Sequence, residues 1–206
     1  MSYSELIFTR GIPSHDFFED AWSSEPFTST LQEVNVPFAL ASPEEDISLV
    51  GMKEDQQVGQ CSMNHTSTYW KQLKELALEE TNLSTQIFTQ IHQKACEVEE
   101  NYAIQNGITI NNSLHNAGLA VRPKYRGQKI GTRLLEQQIK LGKELGTESL
   151  FGETTNRISA RIFKEVGFTL IKEFPYSELS KEMDCPSLEK LESDSFTIWF
   201  LPLNKI

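Results

Sequence analysis

The sequence predicts a mixed α/β (α+β) domain built on a largely antiparallel sheet. Three observations carry that reading. Strand-like and helix-like runs alternate along the whole chain. Some neighbouring strands are joined by a hairpin or a loop and others by a helix, which a purely parallel sheet does not allow. The chain has 206 residues, 38% of them hydrophobic and 12 of them Phe, enough to bury a sizeable core as one domain over residues 1–206.

In chain order, residues 4–10 carry Leu6, Ile7 and Phe8 and read as a short first strand. Gly11, Ile12 and Pro13 break it, and Ser14 caps a helix through Phe17, Phe18 and Trp22. Pro26 suits the first turn of a second short helix near Glu25. Residues 47–53 and 57–64 form a hairpin that turns at 54–56. Leu83, Ile87, Ile91, Val98 and Tyr102 recur at steps of 4, 4, 7 and 4, one face of a long helix that Gly107 ends. Residues 111–121 are the next strand. Ile130, Leu134, Leu141 and Leu145 form a helical stripe closed by Gly146. Residues 149–154 are a short strand, and Ile158, Ile162 and Val166 mark a helix that Gly167 closes. Residues 169–174 and 195–201 are the last two strands, and the polar segment 177–194 is a long connection between them.

Composition removes several function classes. No apolar run approaches ~18 residues, so a membrane span is not expected, and residues 2–10 are too polar at both ends for a signal peptide. Lys and Arg number 19 against 29 Asp and Glu, a net charge of −10 that repels phosphate backbones and attracts small cations. Nucleic acid is therefore not an expected partner. Cys61, Cys96 and Cys185 are odd in number and lack metal spacing, which points to a reduced, cytoplasmic setting. No metal is expected, since His65 and His92 show no partner pattern either.

The most informative run is 119–135. A strand ends at Val121, Pro123 forces a turn, and a glycine-bearing loop opens the helix that starts at Ile130. The first turn of a helix presents unpaired N–H groups and a partial positive charge. Gly127 and Gly131 keep side chains away from those donors, while Arg126, Lys129 and Arg133 add positive charge against the acidic balance of the chain. That is the physics of a pyrophosphate site; a tight turn with an exposed basic face is the plainer reading. Gly-x-Gly-x-x-Gly and Gly-Lys-Ser/Thr are both absent, which disfavours a dinucleotide fold and a Walker loop.

Arg126-Gly-Gln-Lys-Ile-Gly131 resembles the Arg/Gln-x-x-Gly-x-Gly/Ala loop of the GCN5-related N-acetyltransferases (GNAT). The resemblance implies a central mixed, mostly antiparallel sheet of six or seven strands flanked by helices, with the cofactor-binding core at about 111–175. It implies acetyl-coenzyme A as cofactor, its pyrophosphate on Arg126, Gly127, Gln128, Lys129, Ile130, Gly131 and Thr132. The backbone of Leu119, Ala120 and Val121 would meet the pantetheine arm and supply an N–H to the thioester oxyanion. Lys129 stands where the family usually has its first motif glycine, though its N–H can still donate. Asn156-Arg-Ile-Ser-Ala-Arg-Ile-Phe-Lys-Glu-Val-Gly-Phe168 is similar to the family's next helix, which puts Asn156, Arg161 and Phe163 at the cofactor. Phe163 replaces a tyrosine that protonates the thiolate in many members, and a phenyl ring has no proton to give.

Ser24-Glu25-Pro26-Phe27 and Ser159-Ala-Arg161 are similar to elements of arylalkylamine N-acetyltransferases of the insect and nematode type. That likeness implies Glu25 as base through water, and Thr155 and Ser159 as proton-carrying hydroxyls. Thr155 also reads as a helix cap and Glu25 as a first-turn glutamate. His115 lies on the strand that would face the acceptor, where an imidazole can relay a proton or sit as a partly buried polar group. Asp16, Glu19, Asp20 and Glu25 are interleaved with Phe17, Phe18, Trp22 and Phe27, which reads either as a setting for a small amine acceptor or as core aromatics beneath a solvated acidic face. The expected activity is acetyl transfer to a primary amine, as a monomer or homodimer. A non-catalytic coenzyme A-binding regulator and a protein or peptide N-acetyltransferase are the alternatives.

Overall fold

The computed structural model describes residues 7–10, 47–53, 55–78, 83–191 and 194–203. Strand β1 (Ile7–Arg10) is followed by β2 (Leu49–Lys53), β3 (Gln56–His65), helix α1 (Thr66–Leu78) and helix α2 (Leu83–Asn106). Then come β4 (Ser113–Val121), α3 (Ile130–Glu144), β5 (Ser149–Thr154), α4 (Arg157–Glu165), β6 (Thr169–Pro175), α5 (Tyr176–Glu182) and β7 (Ser195–Pro202). The expected helices at Ser14 and near Glu25 lie outside the described residues.

The strands form one seven-stranded sheet in the order β1-β2-β3-β4-β5-β7-β6. Among the described residues only β4 and β5 pair in parallel; the other five pairings are antiparallel. The expected sheet is thus present. Side chains alternate across it. Leu114 of β4 and Leu150 of β5 join Leu134, Leu135 and Leu141 of α3 in the largest apolar cluster. Phe151, one residue on from Leu150, packs instead with Ala103 of α2 and Phe200 of β7. Helices α3 and α4 therefore cover one face, and α1 and α2 the other.

Two segments differ from expectation. Residues 66–78 form α1 directly after β3, a helix the apolar pattern did not announce. Its anchors are Tyr69 and Leu73, 2% and 0% exposed, too few for a stripe that stands out. The expected loop at 177–194 contains most of α5 and a 3₁₀ turn, Pro186–Lys190. Tyr176, Leu179, Cys185 and Leu188 pack there against Ile91 and Ala95 of α2. A short helix buries only one turn, so polarity on its other sides hid it.

One local feature positions the site. The β4–β5 ladder runs from Ser113↔Ser149 to Asn116↔Gly152 and stops, although β4 continues to Val121 and β5 to Thr154. At the same place the β3–β4 register shifts, with Ser62 opposite Gly118 and Met63 opposite Asn116, so Ala117 is an extra residue in β4. Such a bulge bends its strand. The two strands part there.

Candidate active site

The gap between β4 and β5 opens into a cleft of about 810 Å³. That is ample for a cofactor and a small acceptor. Its first end is the start of α3. Pro123 begins a 3₁₀ turn, Pro123–Tyr125, after which the chain passes Gly127 at φ +76° and Lys129 at φ +59°. Lys129 is the residue that precedes α3, and its left-handed backbone is where the family motif carries glycine. Arg126, Gly127, Lys129, Ile130, Gly131 and Thr132 all line the cleft; Gln128 does not. A Cβ on Gly131 would stand 3.2 Å from Ile162 Cδ1, so a larger residue there must push on α4 or fill the cleft.

Along the wall, Leu119, Ala120 and Val121 also line the cleft. Their backbone pairs with Cys61, Gln60 and Gly59 of β3 on one side and has no strand partner on the β5 side. Such a bare edge satisfies its N–H and C=O groups with a ligand or with water. These residues fit a phosphate-bearing, amide-bearing cofactor: a helix terminus with cationic neighbours, then a row of backbone donors and acceptors.

The opposite wall is the start of α4. Asn156 caps it, its Oδ1 accepting from the N–H groups of Ile158 and Ser159 at 3.0 and 2.9 Å. The cap is therefore Asn156 and not Thr155. Thr155, Asn156, Ser159 and Arg161 line the cleft. Ser159 Oγ donates to Asn156 O at 3.0 Å. Phe163 forms part of the floor, fully buried, with its ring on Phe168 and Trp199 at 4.7 and 6.2 Å between centroids.

The second end of the cleft holds groups that sequence reasoning missed. Phe88, Ile91 and His92 of α2, Glu153 of β5 and Phe196 of β7 close it. Glu153 Oε2 accepts from Tyr69 OH at 3.1 Å and lies 3.3 Å from His92 Nδ1. Behind it sit His115 and Glu99, both wholly buried, with His115 Nε2 3.0 Å from Glu99 Oε1 and 3.7 Å from Glu153 Oε1. Trp70 Nε1 donates to the other oxygen of Glu99 at 3.0 Å, and the Tyr69 and His115 rings stack at 3.8 Å. His115 does not line the cleft; it stands one layer behind, and Glu153 is the group that reaches the cleft. Ligand atoms of Glu99, His115 and Glu153 lie within 4.8 Å of one another, close enough to hold a cation or share protons. Glu25 lies outside the described residues.

Burial sets the proton affinities of these groups. It pushes the Glu153 carboxyl well above the usual carboxylate range, and the charge of Glu99 pushes the same way against the Tyr69 hydrogen bond. Burial lowers His92 to about 3, helped by His115. Cys61 is pushed up to about 12 and Cys96 is also raised, so neither thiol is a nucleophile at neutral pH. The signal that was available lies in α2: Phe88, His92, Ala95, Glu99 and Ala103 share one buried face at steps of 4, 3, 4 and 4. Two ionisable residues in register with an apolar stripe mark a buried polar site.

With this geometry in hand, comparison with known proteins settles the family. The acetyltransferase (GNAT) family matches residues 14–168. The chain belongs to that family. Among solved structures, the acetyltransferase is similar to an agmatine N-acetyltransferase mutant in its apo form, with a TM-score of 0.78 at 18% identity, covering 96% of this chain and 100% of that one. It is similar to the polyamine N-acetyltransferase of Drosophila melanogaster, described as forming N-acetylagmatine, with a TM-score of 0.72 at 18% identity and coverage of 96% and 100%. It is similar to arylalkylamine N-acetyltransferase 2 of Aedes aegypti, with a TM-score of 0.67 at 16% identity and coverage of 97% and 99%. No curated protein matches the acetyltransferase in a sequence search. These likenesses show the fold.

Proposed function

We propose that the enzyme moves an acetyl group from acetyl-coenzyme A to the nitrogen of a small, arylalkylamine-like primary amine by direct attack on the thioester. The observation that carries this reading is one cleft with a basic helix terminus at one end and a buried carboxylate at the other. Acetyl-coenzyme A supplies the activated acetyl group. Arg126, Gly127, Lys129, Ile130, Gly131 and Thr132 would hold its pyrophosphate through N–H groups and positive charge. The bare backbone of Leu119, Ala120 and Val121 would orient the pantetheine arm and polarise the carbonyl. Thr155 and Ser159 are the hydroxyls on the facing wall, placed to hand on a proton where Phe163 has none. The names of the structural neighbours, which describe enzymes acting on amines, support the amine acceptor. The net charge of −10 supports it too, because an acidic surface steers cations inward.

The test is thiol release across a panel of aryl, aliphatic and acidic amines, together with calorimetric binding of coenzyme A. Gly131→Leu is expected to weaken coenzyme A binding at least tenfold while the melting profile stays cooperative. Unchanged affinity would remove the pyrophosphate loop from the reading. Tight binding with no thiol release from any amine would favour a coenzyme A-binding regulator. A preference for an acidic acceptor would refute the charge argument.

A further inference from the structure

On the acetyl-transfer reading above, the geometry points to Glu153 as the group that takes the proton from the incoming ammonium, with Glu99 and His115 as positioning residues behind it. Two carboxylates line the cleft among the described residues. Glu165 is exposed on α4 and lies 3.5 Å from the guanidinium of Arg161. The Glu153 side chain is 7% exposed, and the residue sits one position beyond Gly152, the last rung before β4 and β5 part. It therefore enters the cleft where an acceptor would meet the bare edge of β4. Its Oε2 is oriented by Tyr69 OH, and its Oε1 has no hydrogen-bond partner among the described residues.

The other groups facing this carboxylate are poorer acceptors. Among the described residues these are Tyr69 of α1, His92, Cys96 and Glu99 of α2, and His115 of β4. His92, lowered to about 3, accepts a proton too weakly. Tyr69 and Cys96 are raised and keep theirs. Glu99 and His115 lie behind the wall and act only through Glu153. A proton acceptor works best with a proton affinity above that of an ordinary carboxylate, and burial beside Glu99 supplies that.

The same cluster invites a metal, and the hydrogen bonds argue against one. Each carboxylate already accepts from a ring donor, Trp70 or Tyr69. His115 Nδ1 has no partner among the described residues, whereas a metal-bound histidine almost always donates from its second nitrogen. The reaction then balances as follows. The ammonium loses one proton to Glu153, directly or through one water, and Glu153 later returns it to solvent. The C–N bond forms with the freed nitrogen lone pair as the C–S bond breaks, and the electron pair leaves on sulfur. The second proton lost from nitrogen ends on that sulfur.

The test joins kinetics to a readout that needs no turnover. In the free protein, infrared titration should show a protonated carboxyl band persisting above the usual carboxylate range. Glu153→Gln should remove that band, and Glu99→Gln should move its titration to lower pH. In turnover, Glu153→Gln should lower kcat about 100-fold or more with coenzyme A affinity unchanged. Glu99→Gln should move the acid limb of kcat/KM to lower pH, since removing a neighbouring negative charge weakens the base. A purely structural role would not move that limb. Glu153→Asp keeps the carboxyl one methylene shorter and should retain an acid limb at reduced kcat. The proposal is overturned if Glu153→Gln keeps the wild-type limb, if Glu25→Gln alone abolishes it, or if the purified protein carries a stoichiometric divalent metal. Loss of coenzyme A binding by the wild-type protein would instead defeat the acetyl-transfer reading, and the infrared titration would still decide where the proton resides.

Discussion

At one end of the cleft the charge is positive, exposed and carried by a single loop. At the other it is negative, buried and assembled from α1, α2, β4 and β5. The basic end lies within seven consecutive residues, 126–132, four of which the water can reach freely. The acidic end draws on Tyr69, His92, Glu99, His115 and Glu153, spread over most of the described chain. An exposed anion site needs only unpaired N–H groups and nearby cations, and a local motif supplies both. A buried proton site needs several elements packed around it, because burial itself sets its proton affinity.

The largest effect should come from the floor the two ends share. Phe163→Ala removes a fully buried ring from contact with Phe168 and Trp199 and should cost about 3–5 kcal/mol in a urea titration. Both ends should then weaken together. If only coenzyme A binding suffers, the floor belongs to the basic end alone.

Next comes the pH dependence of stability, which only the buried end should show. His92 binds its proton less tightly in the folded protein, at about 3, than a free imidazole does at 6.5. Below 6.5 the unfolded chain takes up a proton that the native state refuses, so stability falls as pH drops toward 3. The slope should reach about 1.4 kcal/mol per pH unit, and His92→Gln should remove it. Glu153 has the opposite sign: its raised proton affinity costs stability as pH rises from 4.5 through its folded value. Glu153→Gln should therefore stabilise the protein most at neutral pH. The two slopes oppose each other where they overlap, so denaturant titrations of the wild type, His92→Gln and Glu153→Gln over pH 4–8 separate them, and profiles that neither substitution changes would show that burial does not set these protonation states.

A smaller effect is expected at the exposed end. Arg126→Ala or Lys129→Ala should weaken coenzyme A binding roughly tenfold at low salt, about 1.4 kcal/mol, and less as salt rises. Melting should hardly change. Smallest of all, alkylating agents should leave Cys61 unmodified in the native protein, because the thiol is fully buried and raised to about 12. Mass spectrometry with and without denaturant checks this.

How much could be read in advance follows the same division. The strand ending at Val121, the Pro123 turn, the loop to Gly131 and the Asn156 helix were all legible, because each is written in contiguous residues with strong local preferences. Gln128 was carried into the site by the motif, yet it does not line the cleft. His115 was singled out on the strand expected to face the acceptor, and the structure puts it behind Glu153, off the cleft. His92 was set aside for want of a sequence pattern, and Glu99 and Glu153 drew no notice at all. Helix α1 was missed as well, although its Tyr69 orients Glu153.

By itself the sequence determined the mixed sheet, the basic loop at the start of α3, the glycine and asparagine punctuation around α3 and α4, and the acidic balance of the chain. These depend on backbone preferences and on neighbours within a few residues. Only the tertiary structure decided that Glu99, His115 and Glu153 meet at the parting of β4 and β5. It alone decided that His92 is neutral and Glu153 a strengthened base. Proton affinity is a property of the surroundings: the same carboxyl on a solvated loop would titrate as an ordinary glutamate, and it is packing beneath α1 and α2 that removes the water.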